Sequence, residues 1–207
     1  MEQIKQFIQK QPYETEVLII ENGSTDDTIN IAHAHSKNNP QIKVFHEDIS
    51  GKGLAVQTGM LAAKGQYRFF CDVDFSMPID EINRFLPPAL GNIDVAIASR
   101  ELEGAVRYDE PPYRHFAGRV FNALVRWLIL PGLHDTQCGF KCFRAEVAEK
   151  VFKRQTLPGW SFDAEVLFIA RKLGYAIQEV PVSWYYNPDS RVRLIKDSLQ
   201  MAKDMLQ

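Results

Sequence analysis

Tyr67-Arg68-Phe69-Phe70-Cys71-Asp72-Val73-Asp74 decides how the chain is read, because an aromatic, strand-forming run ends in two carboxylates one residue apart. A buried strand that emerges into solvent at Asp72 and Asp74 presents hard oxygen ligands suited to Mg2+ or Mn2+, and such an ion can also hold a diphosphate. An Asp-x-Asp pair by itself is most often a solvated turn. Here Phe75-Ser76-Met77-Pro78 follows, and a helical segment is expected to open near Asp80.

Working outward, short apolar runs alternate with helix-period segments. Residues 16–20, 42–45, 67–71 and 94–98 are expected as strands, and residues 26–36, 54–63 and 79–90 as helices. Strands separated by helices of this length build βαβ units and a mostly parallel sheet, with helices on both faces. The fold class is therefore α/β. Ligands of such sheets bind beyond the carboxyl ends of the strands, where Glu21-Asn22-Gly23-Ser24, Asp72 with Asp74, and Ser99-Arg100 all stand. The second half differs in character. A long helix is expected over 113–130, between Pro111-Pro112 and Pro131-Gly132, carrying Arg114, Arg119 and Arg126 among apolar residues. Residues 162–173 are expected as a helix, 177–182 as a strand, and 191–206 as a closing helix with Val192, Ile195, Leu199 and Met205 toward one side.

Composition removes several function classes. The chain has 207 residues, 45% hydrophobic and 24% charged, which suits one globular domain spanning 1–207. A formal net charge of -2 supplies no basic field for nucleic acid. Cys71, Cys138 and Cys142 are odd in number and lack Cys-x-x-Cys spacing, so neither a disulfide framework nor a zinc site is expected, and a reducing cytoplasm fits. The start, Met1-Glu2-Gln3-Ile4-Lys5, has no apolar signal core, and no stretch reaches the roughly 20 apolar residues of a membrane span.

The ordered motifs resemble the family 2 glycosyltransferases of GT-A fold, and within them the dolichyl- or polyprenyl-phosphate glucosyl- and mannosyltransferases. The stretches that carry the resemblance begin with Val17-Leu18-Ile19-Ile20-Glu21-Asn22-Gly23-Ser24-Thr25-Asp26-Asp27-Thr28, Gly51-Lys52-Gly53-Leu54-Ala55 and Asp72-Val73-Asp74-Phe75-Ser76-Met77-Pro78. Ala98-Ser99-Arg100, Asp135-Thr136-Gln137-Cys138-Gly139-Phe140-Lys141, Phe162-Asp163-Ala164-Glu165 and Val180-Pro181-Val182-Ser183-Trp184 follow in order, so the likeness runs from about Glu16 to the end. It implies an inverting, metal-assisted transfer of a hexose from UDP-glucose or GDP-mannose to a polyprenyl phosphate, at the cytoplasmic face of a membrane. It also implies a division into a nucleotide-sugar half, 1–110, and an acceptor half, 111–207. Family members open with a further strand ending in a Pro-x-Tyr-Asn-Glu-like segment. Met1 falls where the helix after that strand should be under way, so the chain is expected to be N-terminally shortened, with a sheet edge exposed.

The resemblance assigns roles residue by residue. Asp72 and Asp74, with Ser76 as a weak oxygen ligand, would hold Mg2+ or Mn2+. Glu21, Gly23, Ser24, Lys52, Asp72 and Arg100 would bind the nucleotide-sugar, Glu21 standing where an aspartate is usual. Asp163 occupies the family's candidate base position and, with Asp74, forms the catalytic pair; an acceptor phosphate that is already anionic needs positioning more than deprotonation. Arg114, Arg119, Asp135, Gln137 and Arg191 would face the acceptor, with arginine suited to a two-point grip on phosphate. Bland readings stand beside these: a turn cap for Asp74, a helix-start carboxylate for Asp163, and solvated charges for the arginines. Two other functions compete: transfer to a saccharide acceptor, and a non-catalytic binding module.

Overall fold

The computed structural model describes residues 1–74, 76–113, 115, 118, 119, 123, 125, 127, 129–188, 200, 201 and 204. Among them, helices α1 (Glu2–Lys10), α2 (Thr28–Ser36), α3 (Lys52–Ala62), α4 (Ala145–Phe152) and α5 (Phe162–Lys172) alternate with eight strands. The strands are β1 (Val17–Asn22), β2 (Ile42–Glu47), β3 (Tyr67–Cys71), β4 (Val95–Ser99), β5 (Val106–Tyr108), β6 (Phe140–Arg144), β7 (Ile177–Pro181) and β8 (Ser183–Tyr185). The expected α/β alternation is present. β1 pairs in parallel with β2, β5 with β8, and a central sheet runs in the order β3-β6-β4-β7.

β6 departs from the parallel rule. It lies antiparallel to both β3 and β4, although it comes from the second half of the chain and they from the first, so both halves share one sheet. Period-two alternation shows why the sheet is closed on both faces: Val95, Ile97 and Phe143 enter a core under α3, α4 and α5, while Ala96, Ala98, Phe140 and Cys142 enter a second core with Met77, Phe85 and Trp184. Every residue of β4 is buried.

β1 is built of equally apolar residues yet is only half-buried over Val17–Ile20. One of its edges carries β2; among the described residues no strand pairs with the other, nor with the outer edge of β3. The two strands are nevertheless tied at both ends. At their starts, the Glu16 carboxylate accepts from the Lys64 amide and, at 3.0 Å, from the Gly65 amide. At their finishes, Asn22 Oδ1 accepts from the Gly51 amide at 2.6 Å and Lys52 reaches Asp72. α3 spans the pair, with the bare face of Gly59 on Ile20 and Met60 in the same core cluster as Phe70.

Residues 79–90 do not form the single helix expected. A 3-10 helix, Ile79–Phe85, ends where Leu86 turns extended (φ -114, ψ 154) ahead of Pro87-Pro88. Proline removes amide donors and disfavours helical backbone in the residue before it, which halts the helix there. In the expected helix over 113–130, the described residues Tyr113, His115, Gly118, Arg119, Ala123, Val125 and Trp127 are helical, while Arg114 and Arg126 lie outside the described residues. Of the expected closing helix only Gln200, Met201 and Asp204 are described; Met201 is buried and Asp204 accepts from Ser161 Oγ at 2.5 Å. Arg191, Val192, Ile195, Leu199 and Met205 lie outside them. Among the described residues no helix is long and apolar enough to cross a membrane, and Cys71, Cys138 and Cys142 are free thiols.

Candidate active site

Asp72 is the first residue beyond β3, and three elements converge on it. Its amide donates to the Gly139 carbonyl at 3.1 Å, just before β6 begins. A Cβ on Gly139 would collide with both carboxylate oxygens of Asp72, so glycine at this position is what lets the carboxylate lie against the strand. Lys52, at the start of α3, supplies the third wall: Nζ is 2.8 Å from Asp72 Oδ1 and lies 5.1 Å from the centre of the Trp160 ring. α3 approaches this closely because Gly53 is pressed onto the loop before α5, where an added Cβ would stand 2.8 Å from Phe162 Cβ and 2.9 Å from the Gly159 carbonyl oxygen. Burial alone would draw the Lys52 ammonium down, but the charges of Asp72 and Asp163 hold it above its ordinary value. It is a fixed cation.

Asp74 is exposed, and its Oδ1 accepts from the Ser76 amide at 3.0 Å, the turn-capping arrangement. Ser76 itself is buried, its carbonyl accepting from the Tyr185 amide at 2.7 Å, so the turn after β3 is anchored to β8. The capping bond occupies one oxygen of Asp74.

Glu21 sits at the end of β1, buried, with one oxygen accepting from the Ser24 amide and the other paired with Nδ1 of His46, its register partner on β2. The Ser24 contacts hold its carboxyl below the usual range, and the bond to Glu21 raises the His46 imidazolium. Gly23 (φ +64) takes the left-handed conformation that turns the chain back toward Ser24. Asn22, to which the sequence reading gave no role, holds the Lys52 loop: its Nδ2 donates to the Ile49 carbonyl and its Oδ1 accepts from the Gly51 amide, each at 2.6 Å.

Arg100 and Asp135 are brought together in a buried fork. Nε donates to Oδ2 at 2.7 Å, Nη2 to Oδ1 at 3.0 Å, and the Arg100 amide also reaches Oδ2 at 3.1 Å. Burial pushes Asp135 up, but the Arg100 guanidinium outweighs it and holds the carboxyl at about 2. One edge of the Arg100 guanidinium, Nε and Nη2, is therefore committed to Asp135 rather than presented to a phosphate. Glu179 on β7 fixes this corner, accepting from the amides of His134 and Asp135, each at 2.8 Å. Trp184 lies beneath Arg100 and Arg107, at 5.5 and 5.8 Å, and Arg107 is gripped in turn by Glu101 and Glu110. Arg119 is exposed, with Nε 3.9 Å from Glu101 Oε2, and the Gln137 amide donates to Asp135 Oδ1 at 3.3 Å.

Asp163, in the first turn of α5, is buried against Lys141 of β6, whose Nζ also donates to the Cys138 carbonyl at 2.8 Å. Glu179, Trp184, Trp160, Lys141 and Gly139 are site residues that no motif argument picked as chemistry-bearing. The clues were an acid inside the strand-like stretch Ile177–Pro181 and a lysine between Phe140 and Cys142-Phe143.

This sheet and cleft define a GT-A glycosyltransferase fold: mycobacterial glucosyl-3-phosphoglycerate synthase, solved with Mn2+, UDP-glucose and phosphoglyceric acid, superimposes with a TM-score of 0.62 at 18% identity, over 91% of this chain and 66% of that one. The profile of glycosyl transferase family 2 matches residues 2–152, and the chain belongs to that family. Dolichyl-phosphate beta-glucosyltransferase ALG5C of Trichomonas vaginalis is 35% identical over 93% of this chain and 59% of its own length. The dolichyl-phosphate beta-glucosyltransferase of Dictyostelium discoideum is 31% identical over 92% and 61%. The chain thus spans about three fifths of the length of these relatives.

Proposed function

We propose that this chain carries the donor and transfer site of an inverting hexosyltransferase that moves glucose from UDP-glucose to dolichyl or another polyprenyl phosphate, with GDP-mannose as the alternative donor. The observation that carries this reading is the Asp72 cradle, a carboxylate at the mouth of a buried sheet with a fixed lysine beside it. The names of the relatives support the donor sugar and the lipid acceptor.

Asp72 and Asp74 would hold Mg2+ or Mn2+, with Ser76 behind them. Their donor set fits in kind: two hard carboxylates one residue apart would supply part of an oxygen shell that phosphate and water oxygens complete. When bound, the ion neutralises charge on the departing diphosphate. Lys52 adds a second, protein-borne cation on the same side. Glu21, kept ionised by Ser24 and paired with His46, braces from below the Gly23-Ser24 turn that would frame the nucleotide base.

The acceptor phosphate oxygen attacks the anomeric carbon from the face opposite the diphosphate, forming the new glycosidic bond as the old one breaks and inverting the centre. That oxygen is already anionic, so no strong base is required, and Asp163, ion-paired with Lys141, orders the site rather than taking a proton. Arg119 is the described cation exposed for the acceptor; Arg114 and Arg191 are proposed alongside it, and Asp135 and Gln137 shape the wall through Arg100. A lipid acceptor places the protein at the cytoplasmic surface of a membrane, in peripheral contact.

The test is transfer from radiolabelled UDP-glucose with Mn2+ and dolichyl phosphate. Label in an organic-extractable lipid supports the reading, and label only in an added free saccharide moves it to a saccharide acceptor. Among the described residues no strand covers the outer edge of β1, which favours a second reading, a binding module without turnover; calorimetry that detects no UDP-glucose binding in the presence of Mn2+ would sink the enzyme reading in its favour.

A further inference from the structure

Lys141 is a fully buried cation on a central strand, an expensive feature that the transfer chemistry does not use. Its ammonium has two partners. It donates to the Cys138 carbonyl at 2.8 Å, and it is ion-paired with Asp163, with the face of Phe70 at 5.4 Å from Nζ. Both partners lead to Asp72. Cys138 is bonded to Gly139, whose carbonyl receives the Asp72 amide and whose missing side chain is the space filled by the Asp72 carboxylate. Asp163 sits at the start of α5 next to Phe162, against which Gly53 is packed, and its charge acts on Lys52, the lysine that touches Asp72 from the other side.

We infer that Lys141 is a positioning residue for Asp72: one buried ammonium pins the Cys138-Gly139 wall and the Asp163–Lys52 wall together, and so fixes where the Asp72 carboxylate points. The alternative is that Lys141 and Asp163 only neutralise each other inside the core. The two differ in what an apolar replacement of the whole pair would do. Such replacements restore stability when a buried pair is merely structural, because no charge is left uncompensated.

Lys141→Met alone strands the Asp163 carboxylate and lowers the Tm. Lys141→Met with Asp163→Leu recovers the Tm, yet is expected to leave Asp72 misplaced. Two readouts report this. In protein labelled with 13C at the aspartate side-chain carboxyls, the Asp72 resonance, assigned through Asp72→Asn, shifts in the double variant while those of the exposed Asp48 and Asp109 stay put. Calorimetry with Mn2+ and UDP-glucose shows affinity weakened by about tenfold or more, the scale at which a misplaced group is felt. A double variant that regains its Tm, keeps the Asp72 carboxyl resonance and binds as tightly as the parent overturns the inference. The binding arm rests on the proposed donor; if the parent protein binds no UDP-glucose, that reading fails, and the Asp72 resonance alone decides the positioning role. Should the double variant not fold, Lys141→Arg carries the same test, since it keeps the cation but alters its reach: a shifted Asp72 carboxyl resonance supports positioning, and an unmoved one overturns it.

Discussion

The β1–β2 pair and the β3-β6-β4-β7 sheet are made from similar residues and end at the same cleft, yet β4 is buried throughout whereas the apolar residues of β1 are half-covered. The difference is one of neighbours rather than of composition. β4 has β6 and β7 on its edges and a core on each face; β1 has β2 on one edge, α3 on one face and side-chain ties at its ends. The cleft therefore has a rigid wall, bearing Asp72, Asp135 and Arg100, and a softer wall, bearing Glu21 and Ser24.

The largest expected effect tests the rigid wall as the seat of chemistry. Asp72→Asn keeps the shape but removes the charge, and transfer should fall by roughly a hundredfold or more in the radiolabel assay. A change of only a few-fold would move the chemistry elsewhere. Next, Ile97→Ala in β4 should cost about 2–5 kcal/mol in urea unfolding, because it opens a cavity with full walls on every side. Leu18→Ala in β1 should cost roughly half as much, since less surface is recovered from water. Equal losses would break the comparison.

A smaller effect concerns acid. The Asp135 carboxyl is depressed in the folded state to about 2 from an ordinary 3.8, so its contribution is fully present above the ordinary value and is lost as pH falls through about 2. That contribution is on the order of 2 kcal/mol. Asp135→Asn should lower stability at neutral pH and flatten its fall between pH 4 and 2, measured by urea unfolding across that range; a slope unchanged from the parent would mean that Asp135 is not the group responsible. The smallest effect lies on the soft wall. His46 is raised by Glu21, so the pairing favours the fold below the ordinary histidine value and fades as pH rises through the elevated one. In an NMR titration Glu21→Gln should return the His46 ring toward 6.5 with little change in Tm. A ring that titrates identically in both proteins would remove the pair from the account of this wall.

The elements that were legible in the sequence are those whose signal is local. Tyr67–Cys71 reads as a strand from its own aromatic and β-favouring residues, and the place of Asp72 and Asp74 just beyond its end is visible because the spacing is contained in three residues. β6 was not legible, because Phe140–Arg144 earns its strand conformation from β3 and β4, which lie far off in the sequence. Glu179 and Lys141 were missed for the same reason: what makes each matter is a partner on another element, a loop amide for one and a helix carboxylate for the other. The helix over 79–90 failed through a competing local rule, the Pro87-Pro88 block overriding the apolar period. Arg100 was correctly placed at a strand end, but no sequence signal disclosed that Asp135 would occupy one edge of its guanidinium.

The antiparallel insertion of β6 has a consequence for biosynthesis. Strands β1 to β4 leave the ribosome before β6 exists, so during translation β3 and β4 have no partner between them, and Asp72 has neither the Gly139 carbonyl nor its glycine-sized berth. Closing that gap requires a long-range chain closure, the kind of step that slows folding. The berth of Asp72 is thus completed only by the sixth of the eight described strands, and a nascent chain halted before Phe140 would hold both carboxylates of the opening motif without the geometry that gives them a use.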